Sequence, residues 1–208
     1  MIHVFHGFLG SPEDFSFLNS HGVTLHNLYH LTTPPVLEPD DILIGYSMGG
    51  RIALELAFSV NFNLKKIVLI NAHPGLQTNE EIIERREFES RIMKELTTKS
   101  KDEFLNWWNE LPLFNFDRPI EPSEEIYKNS IDLFYKHRLS EQKNYLPDII
   151  HHKEKFLIIL GLFDEKYMEL GSEFFVPHGV NVKGIPGGHR LFQYPNELKK
   201  ILTDEGIL

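Results

Sequence analysis

"LIGYSMGGRIAL", Leu43 to Leu54, sets a serine between two glycines, with a strand-like run before it and a helix-like run after it. Gly45 to Gly49 fits G-x-S-x-G, the nucleophile elbow, in which a strand turns sharply into a helix and lifts the serine oxygen over the sheet edge. The context that this motif requires is present: "DILI" precedes it and "RIALELAF" follows. The competing reading is a small residue in an ordinary strand-to-helix turn. Partners elsewhere in the chain decide between the two.

Working outward, Ile2 to Phe5 reads as a short buried strand and Val23 to Leu28 as a second, with "DDILIGYSMGG" as the third. Arg51 to Val60 is helical, with Ala53 and Ala57 permitting close packing. "KKIVLINA", "KFLIILGLFD" and "VNVKGIPGGH" are further strands, and Asn196 to Leu202 is a C-terminal helix. Strands that are apolar on both faces and alternate with helices predict an α/β fold with a mostly parallel sheet covered on both sides. The stretch 76–152 differs. It is rich in Glu, Lys and aromatics and helical in pattern ("NEEIIERREFESRIMKEL", "KDEFLNWWNELP", "SEEIYKNSIDLFYKH"). The expectation is one domain over 1–208, with 1–75 and 153–208 as sheet core and 76–152 as a helical lid insertion.

The bulk numbers narrow the function classes. A chain of 208 residues suits one domain with a sizeable core. A net charge of −9 argues against non-specific nucleic-acid or membrane binding, which needs clustered Lys and Arg. It leaves an anionic small-molecule substrate open, because a pocket can be basic inside an acidic protein. No cysteine is present, which removes thiolate chemistry and fits a cytoplasmic setting. The opening "MIHVFHGFLG" lacks the basic and apolar regions of a signal peptide, and no apolar run reaches membrane-spanning length.

An activated serine needs a base, and the base needs an orienting acid. On an elbow fold the chain order is serine, acid, histidine. Asp164 follows the strand "FLIILGLF" and His189 follows "VNVKGIPGG", both where carboxyl ends of strands converge. The alternatives are an Asp164 that caps a helix and a His189 that is one of eleven histidines. "HGFLGS", His6 to Ser11, comes directly after the first strand. Its turn can aim the Phe8 backbone N–H at the same point as the Met48 N–H, forming an oxyanion hole. Tyr46 and Phe8 are expected to line the floor of the site. His3 with His6, and His151 with His152, lack a carboxylate at ligand spacing, so no metal is assigned. No G-x-G-x-x-G or phosphate loop appears, and no cofactor is expected.

Taken together, "HGFLGSPEDF", "GYSMGGRIAL", "HPGLQTNEE" with "RRE", "GLFDEKY" and "GGHRLFQYPNEL" make the chain resemble the α/β-hydrolase superfamily. Within it, the chain resembles the 2-succinyl-6-hydroxy-2,4-cyclohexadiene-1-carboxylate (SHCHC) synthases of menaquinone biosynthesis. The resemblance implies Ser47, Asp164 and His189 as a catalytic triad, and arginines that hold the substrate's carboxylates. Arg51, one helical turn after Ser47, suits that task, as does Arg85 or Arg86 from the insertion, with Arg86 the favoured of the two, since a planar guanidinium binds a carboxylate bidentately. It also implies an aromatic wall, for which Trp107 and Trp108 are the candidates. The chain departs from the family in three places. It begins at what would be an early sheet strand, so the fold is expected to be shortened at the N-terminus, with an exposed edge that invites a homodimer or a cover. "NLYHLTTPP" lacks the usual glycine-rich turn, and Arg138 falls out of register for a further substrate arginine.

The expected function is a lyase that eliminates pyruvate from a carboxylate-rich cyclohexene intermediate to give SHCHC. The alternatives are a small carboxylesterase or thioesterase working through an acyl-enzyme, and a catalytically silent binding protein on the same fold.

Overall fold

The computed structural model describes residues 1–59 and 63–208. Six strands form one sheet: β1 (Ile2–Phe5), β2 (Val23–His26), β3 (Ile42–Tyr46), β4 (Lys66–Ile70), β5 (Phe156–Gly161) and β6 (Asn181–Ile185). Their order is β2-β1-β3-β4-β5-β6, and every neighbouring pair is parallel. The strands lie where the apolar runs predict them. The helix after the elbow, α1 (Met48–Ser59), starts three residues before the predicted Arg51, because the turn at Ser47 leads straight into it. The predicted last residue, Val60, lies outside the described residues.

Why the inner strands β3, β4 and β5 are apolar at nearly every position follows from the layers. Successive side chains of a strand point to opposite faces. Leu43, Ile67, Leu69, Ile158 and Leu160 pack on one side, with α1 and the helical segment. Ile44, Val68, Ile70, Leu157 and Ile159 pack on the other, with the turn at Pro12–Leu18 and α7 (Pro195–Asp204). With both faces covered, alternation of apolar and polar residues has no use.

Between β4 and β5 run α2 (Asn79–Thr98), α3 (Lys101–Asn109), α4 (Glu124–Lys136) and α5 (Leu146–His151). Their starts are written in the sequence as caps. Thr78 and Glu81 form a capping box at α2, Ser100 and Glu103 another at α3, and the Ser123 side chain accepts from the Ile126 N–H at α4. After β5 a short helix, α6 (Glu165–Leu170), starts at Asp164. No described helix is long and apolar enough to cross a membrane. Among the described residues no group of three or more His, Asp or Glu could hold a metal ion.

Two histidines are structural. Burial lowers His6 to about 4 and His73 to about 3. His6 Nε2 accepts the Leu28 N–H at 3.1 Å, which leaves Nδ1 to donate to the Gly7 carbonyl at 2.8 Å. His73 Nδ1 accepts the Gly75 N–H at 3.1 Å. Both are held neutral in the folded chain, whereas the unfolded chain protonates them near pH 6.5. The unfolded state therefore binds more protons below that pH, and stability is present above pH 6.5 and lost as pH falls toward 4. Urea midpoints measured from pH 7 to pH 4.5 should fall, with a contribution of up to about 1.4 kcal/mol per histidine per pH unit. Replacing His6 by Asn should flatten the curve.

Candidate active site

The elbow is built by close approach. A Cβ on Gly45 would stand 2.4 Å from Gly50 Cα, and one on Gly49 would stand 2.3 Å from the carbonyl oxygens of Phe5 and His6. Only glycine lets α1 pack this closely on β3 and on the end of β1. Ser47 itself sits at φ 51°, a left-handed conformation uncommon outside glycine and asparagine. Its N–H donates to the Ile70 carbonyl at 2.9 Å, and its carbonyl accepts the Arg51 N–H at 3.3 Å. Met48 is the first residue of α1, so its N–H has no intrahelical acceptor.

Ser47, His189 and Asp164 meet at the carboxyl ends of β3, β6 and β5. His189 Nε2 lies 3.1 Å from Ser47 Oγ, and His189 Nδ1 lies 2.7 Å from Asp164 Oδ2. A carboxylate only accepts, so Nδ1 carries the ring proton and Nε2 is left to accept from the serine hydroxyl. Both members of the histidine–aspartate pair are buried. Asp164 also caps α6, its Oδ1 accepting the Tyr167 N–H at 3.4 Å. The two readings of Asp164 are thus compatible: one oxygen starts a helix and the other faces the histidine.

A cavity of about 510 Å³ opens over Ser47. Phe8, Tyr46, Met48 and Trp108 line it, and Arg51, Arg85 and Lys166 gather in its wall. Arg51 is lowered to about 10 by burial and by the neighbouring Arg85, and one of its nitrogens donates to the His137 carbonyl at 2.7 Å. Arg85 pairs with the buried Glu89 at 2.8 Å. Lys166 is lowered by loss of water and by Arg85. Tyr46 packs on the His189 ring with centroids 5.6 Å apart, and Tyr167 does so at 5.0 Å.

The remaining candidates are not brought to the cavity. Arg86, favoured over Arg85 from the sequence, is exposed and faces Glu141 at 3.5 Å, while Arg85 takes the place at the cavity. Trp107 turns sideways, with Arg91 5.5 Å from its ring. Arg138 stacks on Tyr135 at 4.7 Å and faces a separate surface pocket. Lys166 was not singled out from the sequence, although its place two residues after Asp164 in a short helix was a signal. Asn71 was also missed. It is fully buried at φ 41°, donates to the Gly188 and His189 carbonyls at 3.2 and 2.8 Å, and accepts the Gly161 N–H at 3.0 Å.

The elbow packing predicts the outcome of one substitution. Gly49→Ala should destabilise the chain by about 1–3 kcal/mol in urea unfolding and slow modification of Ser47 by serine-directed reagents, since the new methyl must push β1 and α1 apart.

No family model matches the chain. A putative SHCHC synthase of Bacillus subtilis (strain 168) is 29% identical over 205 residues, covering 81% of this chain and 75% of that protein. A putative SHCHC synthase of Haemophilus influenzae is 27% identical over 141 residues, covering 63% of this chain and 57% of that one. Among solved structures, MenH from S. aureus superposes with a TM-score of 0.75 at 21% identity, covering 99% of this chain and 94% of that one. The chain is therefore an α/β-hydrolase-fold protein that resembles the SHCHC synthases in sequence and shares the fold of MenH.

Proposed function

We propose that the chain is a lyase that eliminates pyruvate from a carboxylate-rich cyclohexene intermediate to give SHCHC, with Ser47, His189 and Asp164 as its catalytic triad. The observation that carries the reading is the pairing of a hydrogen-bonded Ser47–His189–Asp164 chain with Arg51, Arg85 and Lys166 in one cavity wall. Glu89 pairs with Arg85, and three cations partly withdrawn from water still cost stability unless a further anion meets them. A neutral ester has no use for them, whereas a substrate with several carboxylates does. The two relatives named as SHCHC synthases support the same assignment.

In this mechanism His189 draws the hydroxyl proton of Ser47, and the serine oxygen removes a proton from the bound ring. The electron pair left behind forms a ring C=C bond and breaks the C–O bond to the leaving group, which departs as the enolate of pyruvate and takes its proton from the His189 imidazolium. Asp164 holds the His189 tautomer and stabilises the imidazolium as it forms. Arg51, Arg85 and Lys166 hold the carboxylates and neutralise charge that builds up as the leaving group departs. The N–H groups of Phe8 and Met48 form the oxyanion site. Trp108 walls the cavity, and the segment 76–152 serves as a lid on a single domain that works in the cytoplasm.

The test runs two assays in parallel. Ser47→Ala should abolish both pyruvate release and hydrolysis of a short-chain p-nitrophenyl ester. Arg51→Ala should weaken elimination by about 2–4 kcal/mol of transition-state stabilisation and leave neutral-ester hydrolysis within about threefold. If wild type cleaves simple esters well and releases no pyruvate, the lyase reading falls and the esterase reading replaces it.

The proposal extends to assembly. Among the described residues β2 is paired on one side only, and its four residues are half-buried. An edge of this kind pairs readily with a second copy. Light scattering should give twice the chain mass, and Leu25→Pro, which removes an N–H from the outer edge of β2, should return it to the monomer value. A wild-type monomer would refute the dimer.

A further inference from the structure

The loop that carries His189 is held from two sides. From the sheet, Asn71 binds the carbonyls of Gly188 and His189. From the helical segment, Asp117 Oδ2 accepts the His189 backbone N–H at 3.0 Å. The neighbouring Arg190, 2% exposed, reaches into the same segment. It donates to the Arg118 carbonyl at 2.8 Å and to Asn109 Oδ1 at 2.7 Å, and its guanidinium lies 3.9 Å over the Phe114 ring. Gln193 adds a reciprocal pair with Arg118, at 3.0 and 2.9 Å. The contact at Asp117 depends on Gly188, because a Cβ there would stand 2.6 Å from Asp117 Oδ1.

We propose that Asp117 is a positioning residue for His189: a carboxylate carried by the helical segment that fixes the His189 peptide and, through it, the approach of Nε2 to Ser47. Seating of the segment over the cavity and aiming of the histidine are then one event. The proposal rests on the reading of Ser47, His189 and Asp164 as the catalytic chain. The two anchors differ in what they depend on. Asn71 belongs to the end of β4 and holds the loop wherever the segment sits. Asp117 holds it only while the segment is seated. A displacement of ~1 Å at the reacting group, caused by a change outside the chemistry, costs up to ~100-fold in rate. The N–H bond from His189 acts directly on the residue whose ring must be aimed, whereas Arg190 and Gln193 brace the loop beyond it.

The test uses a readout independent of the natural substrate: the rate at which a small alkyl fluorophosphonate labels Ser47, in which the serine oxygen displaces fluoride and the hydroxyl proton passes to His189. Asp117→Ala should lower this rate at least ~10-fold at temperatures where circular dichroism shows the variant folded. Asp117→Asn keeps an acceptor oxygen for the His189 N–H and should stay within about threefold of wild type. Gly188→Ala, which crowds Asp117 away, should fall like Asp117→Ala and should add little when Asp117 is already alanine. Three results overturn the proposal: wild-type labelling by Asp117→Ala, an equal loss in Asp117→Asn, or a full Gly188→Ala loss that persists beside Asp117→Ala. Should Asp117→Ala fail to fold, Gly188→Ala decides, and wild-type labelling by that variant refutes the clamp. A wild-type chain that is not labelled at Ser47 refutes the catalytic reading itself, before any variant is compared.

Discussion

The buried hydrogen bond from His189 Nδ1 to Asp164 Oδ2, at 2.7 Å, is the interaction on which the site depends. It joins the ends of β5 and β6, the two strands at one margin of the sheet. A parallel sheet makes the contact available, since strands that all run one way release their following loops along one edge. The bond also fixes the chemistry. With the ring proton committed to the carboxylate, Nε2 faces Ser47 as an acceptor, and the serine proton has somewhere to go. Removing the Asp164 oxygen would leave the histidine free to take the other tautomer, with its proton pointing at the serine.

The cations impose the opposite demand. Arg51 and Lys166 are both lowered by loss of water and by their neighbour Arg85, so the folded chain bears repulsion at this end of the cavity. Glu89 relieves part of it. That carboxylate is 2% exposed, binds Arg85, and accepts the Leu139 N–H at 2.8 Å. Glu89 thus ties α2 to the turn after α4 while leaving the positive character of the wall in place. A bound polyanion would complete the neutralisation and, by binding the folded state alone, would stabilise it.

How much of this was legible in the sequence depends on range. The elbow, the capping boxes and the all-apolar strands are local patterns, and local patterns survive in one dimension. Ser47, Asp164 and His189 were legible because each closes a strand of recognisable type, so the fold brings them together without further information. The choice between Arg85 and Arg86 was harder. Adjacent helix residues point ~100° apart, and α2 is polar on most of its surface. Its inward stripe runs Arg85, Glu89, Ile92, Leu96 at helical spacing, but a buried glutamate in that stripe hides it from a hydrophobicity pattern. Trp108 shares its stripe with Phe104, four residues earlier, and the same rule sends Trp107 to the side. Asn71 and Asp117 were illegible for a different reason. Each acts on the backbone of a residue more than seventy positions away, and a hydrogen bond to a peptide group leaves no mark on the sequence of its partner.

The same triad serves a hydrolase and a lyase, so the reaction is decided by what the cavity presents to Ser47. A hydrolase must place a carbonyl carbon against the serine oxygen and admit water afterwards. A lyase must place an acidic C–H there and hold the leaving group's charge. Here Trp108, Phe8 and Phe134 line the same cavity as Arg51, Arg85 and Lys166. On the proposed function, an amphipathic ring with carboxylates at its rim would be oriented by such a lining, with its ring carbons against the aromatics and its carboxylates against the cations. That orientation would set which atom meets the serine. The cations would then do more than attract: by fixing the rim of the substrate, they would choose between proton abstraction and acyl transfer, which the elbow alone leaves open.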